Sequence, residues 1–225
     1  MAIILSSPTS GLMLLMQVSV LIPLLVCWRR WPALPVPLRW LGWYFPLSIA
    51  GTAAGRGLAY AYRLGYHVTN HPPITAFNVG KTLLLGLVLR QVLRDQGARR
   101  ITEALLGLGL AVVGAGFVWL PSMQEVTLAR LAQCVVLAVV ALAYLEQLSR
   151  HPDEALADDP YFWLSMGQLA YSAATTVAIG LSEADESPAV MEIYILLIAA
   201  AGLFQNFTLT KAYLAGRRPA GATPF

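Results

Sequence analysis

The chain has 225 residues, of which 57% are hydrophobic and 12% are charged, and its mean hydropathy is +0.63. A soluble domain carries roughly 25% charged residues, about twice this fraction. The 15 Lys and Arg and the 12 Asp and Glu residues cannot supply the polar surface of a soluble enzyme of this length. Composition therefore excludes a soluble globular protein and also, because apolar residues dominate, a disordered chain. The class that is left is an integral membrane protein.

Apolar runs of about 20 residues, the length that crosses a bilayer as a helix, recur along the chain. The seven runs are Ser10–Trp28, Leu38–Leu58, Ile74–Leu93, Glu103–Leu120, Thr127–Leu148, Tyr161–Leu181 and Ala189–Leu214. They are about twice as long as a barrel strand and lack its alternating polarity. The pattern predicts an all-α polytopic membrane protein, a seven-transmembrane-helix bundle.

The basic residues indicate how such a bundle is oriented, because cytoplasmic loops carry an excess of Lys and Arg. With the N-terminus outside, 11 of the 15 basic residues fall in cytoplasmic segments and three in outer segments, and Lys81 lies inside the third run. An odd number of spans also places the two termini on opposite sides. We therefore expect the N-terminus outside and the C-terminus in the cytoplasm.

The first apolar run and the C-terminal segment carry further sequence signals. Arg29 and Arg30 follow the first run and no basic residue precedes it, a pattern typical of a retained membrane helix and not of a secretory signal. We expect a single seven-helix transmembrane domain over residues 1–216. The segment 217–225 is rich in Gly and Pro and is predicted to be a short disordered cytoplasmic tail.

Ionisable residues inside spans are costly, so each one is a candidate functional residue. Lys81 lies seven residues into the third run, ~10 Å below its outer end. Asn78 lies one turn above it on the same face. Further polar residues of the outer half are Arg56, Arg130, Gln133 and Glu192. Because cations outnumber acids there, we predict an outward-facing polar cavity between the second, third, fifth and seventh runs that binds an anionic ligand.

A structural alternative stands beside this binding site. Arg56 and Arg130 would then be interfacial residues that extend to the lipid headgroups. Lys81 would do the same, or would pair with Glu192 between two helices. A second polar set in the inner half, Gln168, Tyr171 and Asn206, is either a relay to the cytoplasmic face or a source of interhelical hydrogen bonds.

The motifs of the common catalytic sites are absent from the sequence. No histidine lies in a predicted span, where an intramembrane zinc site would need it, and neither a GxSxG motif nor a phosphate-binding loop occurs. We therefore expect no catalytic residue, no metal and no cofactor. Nucleic acid is not an expected partner, because the basic residues sit in short loops.

The sixth run begins DPYFWLSMGQLAYSAA and fits a DPxFWxxxGxLxY pattern through Asp159, Pro160, Phe162, Trp163, Gly167 and Tyr171. With the fifth-run segment RLAQCVVLAVVALAYLEQL and Asn206 of the seventh run, it resembles a family of small bacterial seven-transmembrane proteins with no assigned activity. That family resembles the membrane-sensing part of sensor histidine kinases without the kinase. The resemblance implies a sensor and supplies no catalytic residue.

The same segment also predicts local structure. We expect Asp158 or Asp159 to cap the sixth helix and Pro160 to occupy its first turn. Gly167 would let a neighbouring helix pack closely.

These observations favour a receptor-like membrane sensor module that binds a small amphiphilic or anionic ligand. It would shift the sixth and seventh helices and signal through a cytoplasmic or membrane partner such as a kinase. One alternative is a small solute carrier or channel, in which the two polar sets are stages of one path. A third is a membrane-embedded lipid-modifying enzyme. Membrane lipids are expected partners, and a homo-oligomer is left open.

Overall fold

The computed structural model of the chain describes residues 8–65, 71–119, 122–150, 156–185 and 187–216. Helix accounts for 92% of these residues and none of them lies in a strand, which confirms the all-α prediction. The α-helices are α1 (Pro8–Ser19), α2 (Leu21–Arg30), α3 (Val36–Leu41), α4 (Tyr44–Arg63), α5 (His71–Val92), α6 (Gln96–Trp119), α7 (Ser122–Ser149), α8 (Pro160–Ala184) and α9 (Pro188–Ala215). The predicted tail at 217–225 lies outside the described residues.

Four helical stretches are long and apolar enough to cross a membrane, namely Gly11–Ala33, Pro72–Val92, Val126–Ser149 and Pro188–Ala215. In the first of them only 11% of the most apolar window is buried inside the protein. An exposed apolar surface of this extent needs an apolar surrounding, which a bilayer provides. The chain is therefore a multi-pass helical membrane protein.

The first predicted run, Ser10–Trp28, forms two helical segments, α1 and α2, which meet at Val20, a residue that keeps helical backbone angles. Pro23 causes this local change in hydrogen bonding. A proline has no N–H to bond the carbonyl four residues earlier, here that of Ser19, and its ring crowds that carbonyl.

The second predicted run, Leu38–Leu58, is interrupted for the same reason. Pro46 cannot donate to the Gly42 carbonyl, which accepts instead from the Phe45 N–H at 3.3 Å. The long helix α4 therefore begins at Tyr44 and continues to Arg63, beyond the predicted end.

Three helices begin three or more residues before the predicted runs. α5 starts at His71, ahead of Ile74, because prolines suit the first helical turn that follows. α6 starts at Gln96, since the Asp95 carboxylate accepts a hydrogen bond from the Ala98 N–H at 2.8 Å and caps the helix. α7 starts at Ser122, in the segment predicted to connect the fourth and fifth runs.

Contacts divide the chain into two compact units. Unit 1 comprises Met1–Arg39 and Ala141–Phe225, and unit 2 comprises Trp40–Val140. In unit 1, α9 is the central helix and packs against α8, α1 and α2. In unit 2, α5 is the central helix and packs against α4 and α6.

The start of α8 in unit 1 confirms the local predictions. The Asp159 carboxylate accepts from the N–H groups of Tyr161 at 2.7 Å and Phe162 at 3.3 Å, and Pro160 occupies the first turn. The Tyr144 hydroxyl donates to the second oxygen of Asp159 at 2.6 Å, which ties the end of α7 to the start of α8. Farther along α8, a side chain on Gly167 would overlap Thr208 of α9, so this glycine permits the close packing of the two helices.

In unit 2, glycines bring the helices together in the same way. A Cβ on Gly51 of α4 would lie 2.9 Å from the Phe77 ring of α5. A Cβ on Gly80 of α5 would lie 3.0 Å from Leu47 of α4. At the other end of α5, the Arg90 guanidinium donates to the Glu103 carboxylate of α6 at 2.6 Å. These contacts fix the position of α5, on which the candidate site lies.

We expect Gly167→Ala to lower the stability of the protein in detergent. Thr208 is short and β-branched, so it cannot move aside easily, and overpacking of this kind costs about 1–3 kcal/mol. Gly180→Ala, in the same helix but with nothing within 4 Å of its Cβ position, is the matched control and should be neutral or stabilising. Thermal melts of the two variants check this, and equal melting temperatures would contradict the close α8–α9 contact.

Candidate functional site

Lys81 is buried in the middle of α5, with 2% of its surface exposed, inside the candidate span Pro72–Val92. Its ammonium nitrogen lies 5.7 Å from the centroid of the Tyr44 ring of α4, within the range of a cation–π interaction. Arg130 and Cys134 of α7 lie within electrostatic reach of it. Unit 2 therefore holds two cations within electrostatic range of each other.

A small cavity lies between α5, α6 and α7, beside this pair of cations. Its polar lining comes from Asn78, Thr82 and Gln133, and its apolar walls include Gly109 of α6 and Ala129 of α7. Its volume is about 10 Å³, which has room for about one water molecule. The cavity therefore admits a single acceptor or donor atom at a time.

Asn78 gives this cavity its chemical character. The side chain is 4% exposed, and its amide nitrogen Nδ2 has no hydrogen-bond partner among the described residues. The Thr82 hydroxyl donates to the backbone carbonyl of Asn78 at 2.7 Å. This bond does not involve the side-chain amide of Asn78, whose nitrogen stays unsatisfied. A buried donor without a partner costs roughly 1–3 kcal/mol, so an acceptor atom placed in the cavity would recover this free energy.

The structure brings together four of the six residues predicted to bind the ligand. Asn78 and Gln133 line the cavity, and Lys81 and Arg130 lie within a turn of them along α5 and α7. The other two are Arg56, which is exposed on α4, and Glu192, which belongs to unit 1 and is exposed near the start of α9.

Sequence reasoning missed two residues of the site and one helix. Thr82 follows Asn78 by four positions and thus shares its helical face, so the spacing alone could have indicated it. Tyr44 could not be found this way, because its position depends on how α4 packs against α5. The helix α6 was not among those expected to line a cavity.

The predicted relay residues of unit 1 make two separate groups of hydrogen bonds. In the first, the Gln205 amide donates to Gln168 at 2.9 Å, and the Gln168 amide donates to Ser172 at 3.0 Å. In the second, the Asn206 amide donates to the Ser19 hydroxyl at 2.7 Å. Tyr171 is half-buried on α8. The first group joins α8 to α9 and the second joins α9 to α1, as interhelical hydrogen bonds do.

In the part of the chain that the structure describes, no group of three or more His, Cys, Asp or Glu side chains could hold a metal ion. No protein-family model, curated protein or solved structure matches the chain. The geometry of the two polar regions is therefore the basis for a functional proposal.

Replacing an amide side chain with leucine should change the stability of the protein differently for a hydrogen-bonded amide and for an unpartnered one. Gln205→Leu removes the donor to buried Gln168 and should destabilise the protein by roughly 1–2 kcal/mol. Asn78→Leu is of similar size and removes an unpartnered donor, so without added ligand it should leave the stability unchanged or raise it. Thermal melts in detergent measure both. An equal loss in Asn78→Leu would mean that its amide is bonded within the protein.

Proposed function

We propose that the chain is a seven-span bundle in a bacterial inner membrane, with its N-terminus outside and its C-terminus in the cytoplasm. Four helical stretches meet the length and hydropathy of a span. The three further spans would be α4, α6 and α8, which have 20, 24 and 25 residues. At 1.5 Å per residue these lengths match or exceed a hydrocarbon core of about 30 Å. The excess of basic residues in the predicted cytoplasmic segments supports the orientation.

Within this bundle we propose a receptor-like sensor module that binds a small anionic group in unit 2. The burial of Lys81 in a span is the observation that carries the proposal. A charge at the centre of a membrane helix costs about 2.5–3.5 kcal/mol even on the mildest scale, so such residues usually serve a function.

The groups around Lys81 favour an anion as the ligand. Lysine and arginine side chains are donors without acceptor atoms, and the Nδ2 of Asn78 is a further donor. A carboxylate, or the head of an anionic amphiphile, supplies the matching acceptors. The cavity beside Asn78 fits one oxygen atom of such a group. Output would pass to a cytoplasmic or membrane partner such as a kinase.

The proposed orientation places the residues that follow α4 outside the membrane and the residues that precede α6 in the cytoplasm. A cysteine at Leu64, which is exposed after α4, should react from outside with a membrane-impermeant maleimide. A cysteine at Arg94, exposed before α6, should react only after the membrane is opened. The experiment uses intact cells and a background in which Cys27 and Cys134 are replaced by alanine. The reverse pattern would place the N-terminus in the cytoplasm, and equal labelling on one side would remove α5 as a span.

Ligand binding is tested with thermal shifts in acetate, decanoate and phosphate. At a ligand concentration of 100 Kd, binding to the folded state alone adds about 2.7 kcal/mol of stability. We expect a saturable shift with at least one carboxylate in the wild type, and its loss in Lys81→Gln. Lys211→Gln is the matched control, because Lys211 is an exposed cation of α9 in unit 1, over the Phe207 ring.

The same probes distinguish the alternative functions. If the protein alone moves the bound carboxylate across a sealed vesicle, the carrier is correct and the sensor is wrong. Conversion of vesicle lipids by the purified protein would support the membrane enzyme. If none of the three anions shifts the melting temperature, the binding site itself is wrong, whatever the orientation.

A further inference from the structure

The first membrane stretch of unit 1, Gly11–Ala33, changes its hydrogen bonding at one point. α1 ends at Ser19, and α2 begins at Leu21. Pro23 cannot donate to the Ser19 carbonyl, whereas the next donor, the Leu24 N–H, reaches the Val20 carbonyl at 3.3 Å. A proline interruption weakens a helix at one place and leaves the segments on both sides regular.

A side chain of α9 contacts the last turn of α1, just before the point where the hydrogen bonding changes. Nδ2 of Asn206 donates to the Ser19 hydroxyl at 2.7 Å and to the Met16 carbonyl at 3.2 Å. The Ser19 hydroxyl itself donates to the Met16 carbonyl at 2.7 Å, a local bond that bends helices. In hydrocarbon, such backbone groups need partners from the protein itself. Asn206 is 8% exposed and supplies one.

One turn before Asn206, α9 also packs closely against the side chain of Met16. A Cβ on Gly202, four residues before Asn206, would overlap the Met16 sulfur. Gly202 thus makes room for the side chain of the residue whose carbonyl Asn206 bonds. The two α9 residues hold the end of α1 in one position.

α2 is attached to α9 by a different contact. The Arg30 guanidinium donates to the Leu214 carbonyl at 2.5 Å and reaches the Tyr213 carbonyl at 3.5 Å. A cation at the C-terminal end of a helix is favourable, because the unsatisfied carbonyls carry a partial negative charge. This attachment does not involve Met16, Ser19 or Asn206, so α1 and α2 are held to α9 independently.

We propose that the interruption at Pro23 is a hinge in the first membrane helix, and that Asn206 closes it. When the Asn206 bonds break, α1 tilts away from α9 while Arg30 keeps α2 in place. Single interhelical hydrogen bonds in membranes are weak, so the closed state is reversible. The outer side of α1 does not oppose this motion, because Leu15 and Val18 are more than half exposed. The hinge does not depend on the anion site of unit 2.

Two pairs of spin labels, read by pulsed dipolar spectroscopy on the full chain in nanodiscs, test the hinge. The pair at Gly11 and Met191 reports on α1, and the pair at Leu25 and Leu214 reports on α2; all four residues are exposed. Both pairs are placed in the background without Cys27 and Cys134. Gly11 lies nine residues from Val20, about 13.5 Å along the helix. A change of about 20° in the kink therefore moves it by about 5 Å.

We expect Asn206→Leu to widen or shift the first distance by up to this amount and to leave the second unchanged. Adding Pro23→Ala should reverse the change, because alanine restores the donor to the Ser19 carbonyl. Thr210→Val is the matched control, since the Thr210 hydroxyl bonds only within α9, to the Asn206 carbonyl.

Ser19→Ala removes one of the two bonds and serves as a milder second variant if Asn206→Leu does not fold. An unchanged first distance in both variants would overturn the hinge. Equal changes in both distances would also overturn it, because the first helix would then move as one rigid rod.

Discussion

Hydrocarbon offers no hydrogen bonds, so every polar group of a membrane-spanning helix must find its partner within the protein. Three amide side chains of unit 1 meet this constraint. The amides of Gln168 and Gln205 bond across α8 and α9, and the Asn206 amide bonds to α1. Close packing of α8 and α9 at Gly167 brings the amides within reach. The polar residues of this unit thus act as structural contacts between helices.

Unit 2 departs from the same constraint at one place. The Nδ2 of Asn78 has no partner among the described residues, and one turn away a cation is buried. Proteins break the rule of polar satisfaction mainly at functional sites, where a ligand completes the bonding. The hydroxyls of Ser165 and Thr175 in unit 1 also lack a partner within the described part of the chain, so the reason to place ligand binding in unit 2 is the buried cation next to the unsatisfied amide.

Local sequence rules predicted much of this structure. The apolar runs predicted helices, Asp159 and Pro160 predicted the start of α8, and Gly167 predicted a close helix contact. Pro23 and Pro46 also carried a local signal, since a proline cannot bond the carbonyl four residues earlier; hydropathy alone hid it, because both lie in apolar runs. The site depended on information that no local rule contains. Tyr44 meets Lys81 only because α4 packs against α5, and the cavity needs α6 in a place that periodicity does not determine.

The arrangement around α9 limits which helices of unit 1 can move separately. Gln205 and Asn206 are adjacent in sequence, and successive residues of a helix point about 100° apart. Gln205 therefore faces α8, and Asn206 faces α1. Thr208 of α9 also packs so closely against Gly167 of α8 that a side chain at Gly167 would overlap it, which restricts sliding of the two helices. The sixth and seventh predicted spans would accordingly move as a pair. The contact between α9 and α1 is less extensive than the α8–α9 contact, so it opens more easily.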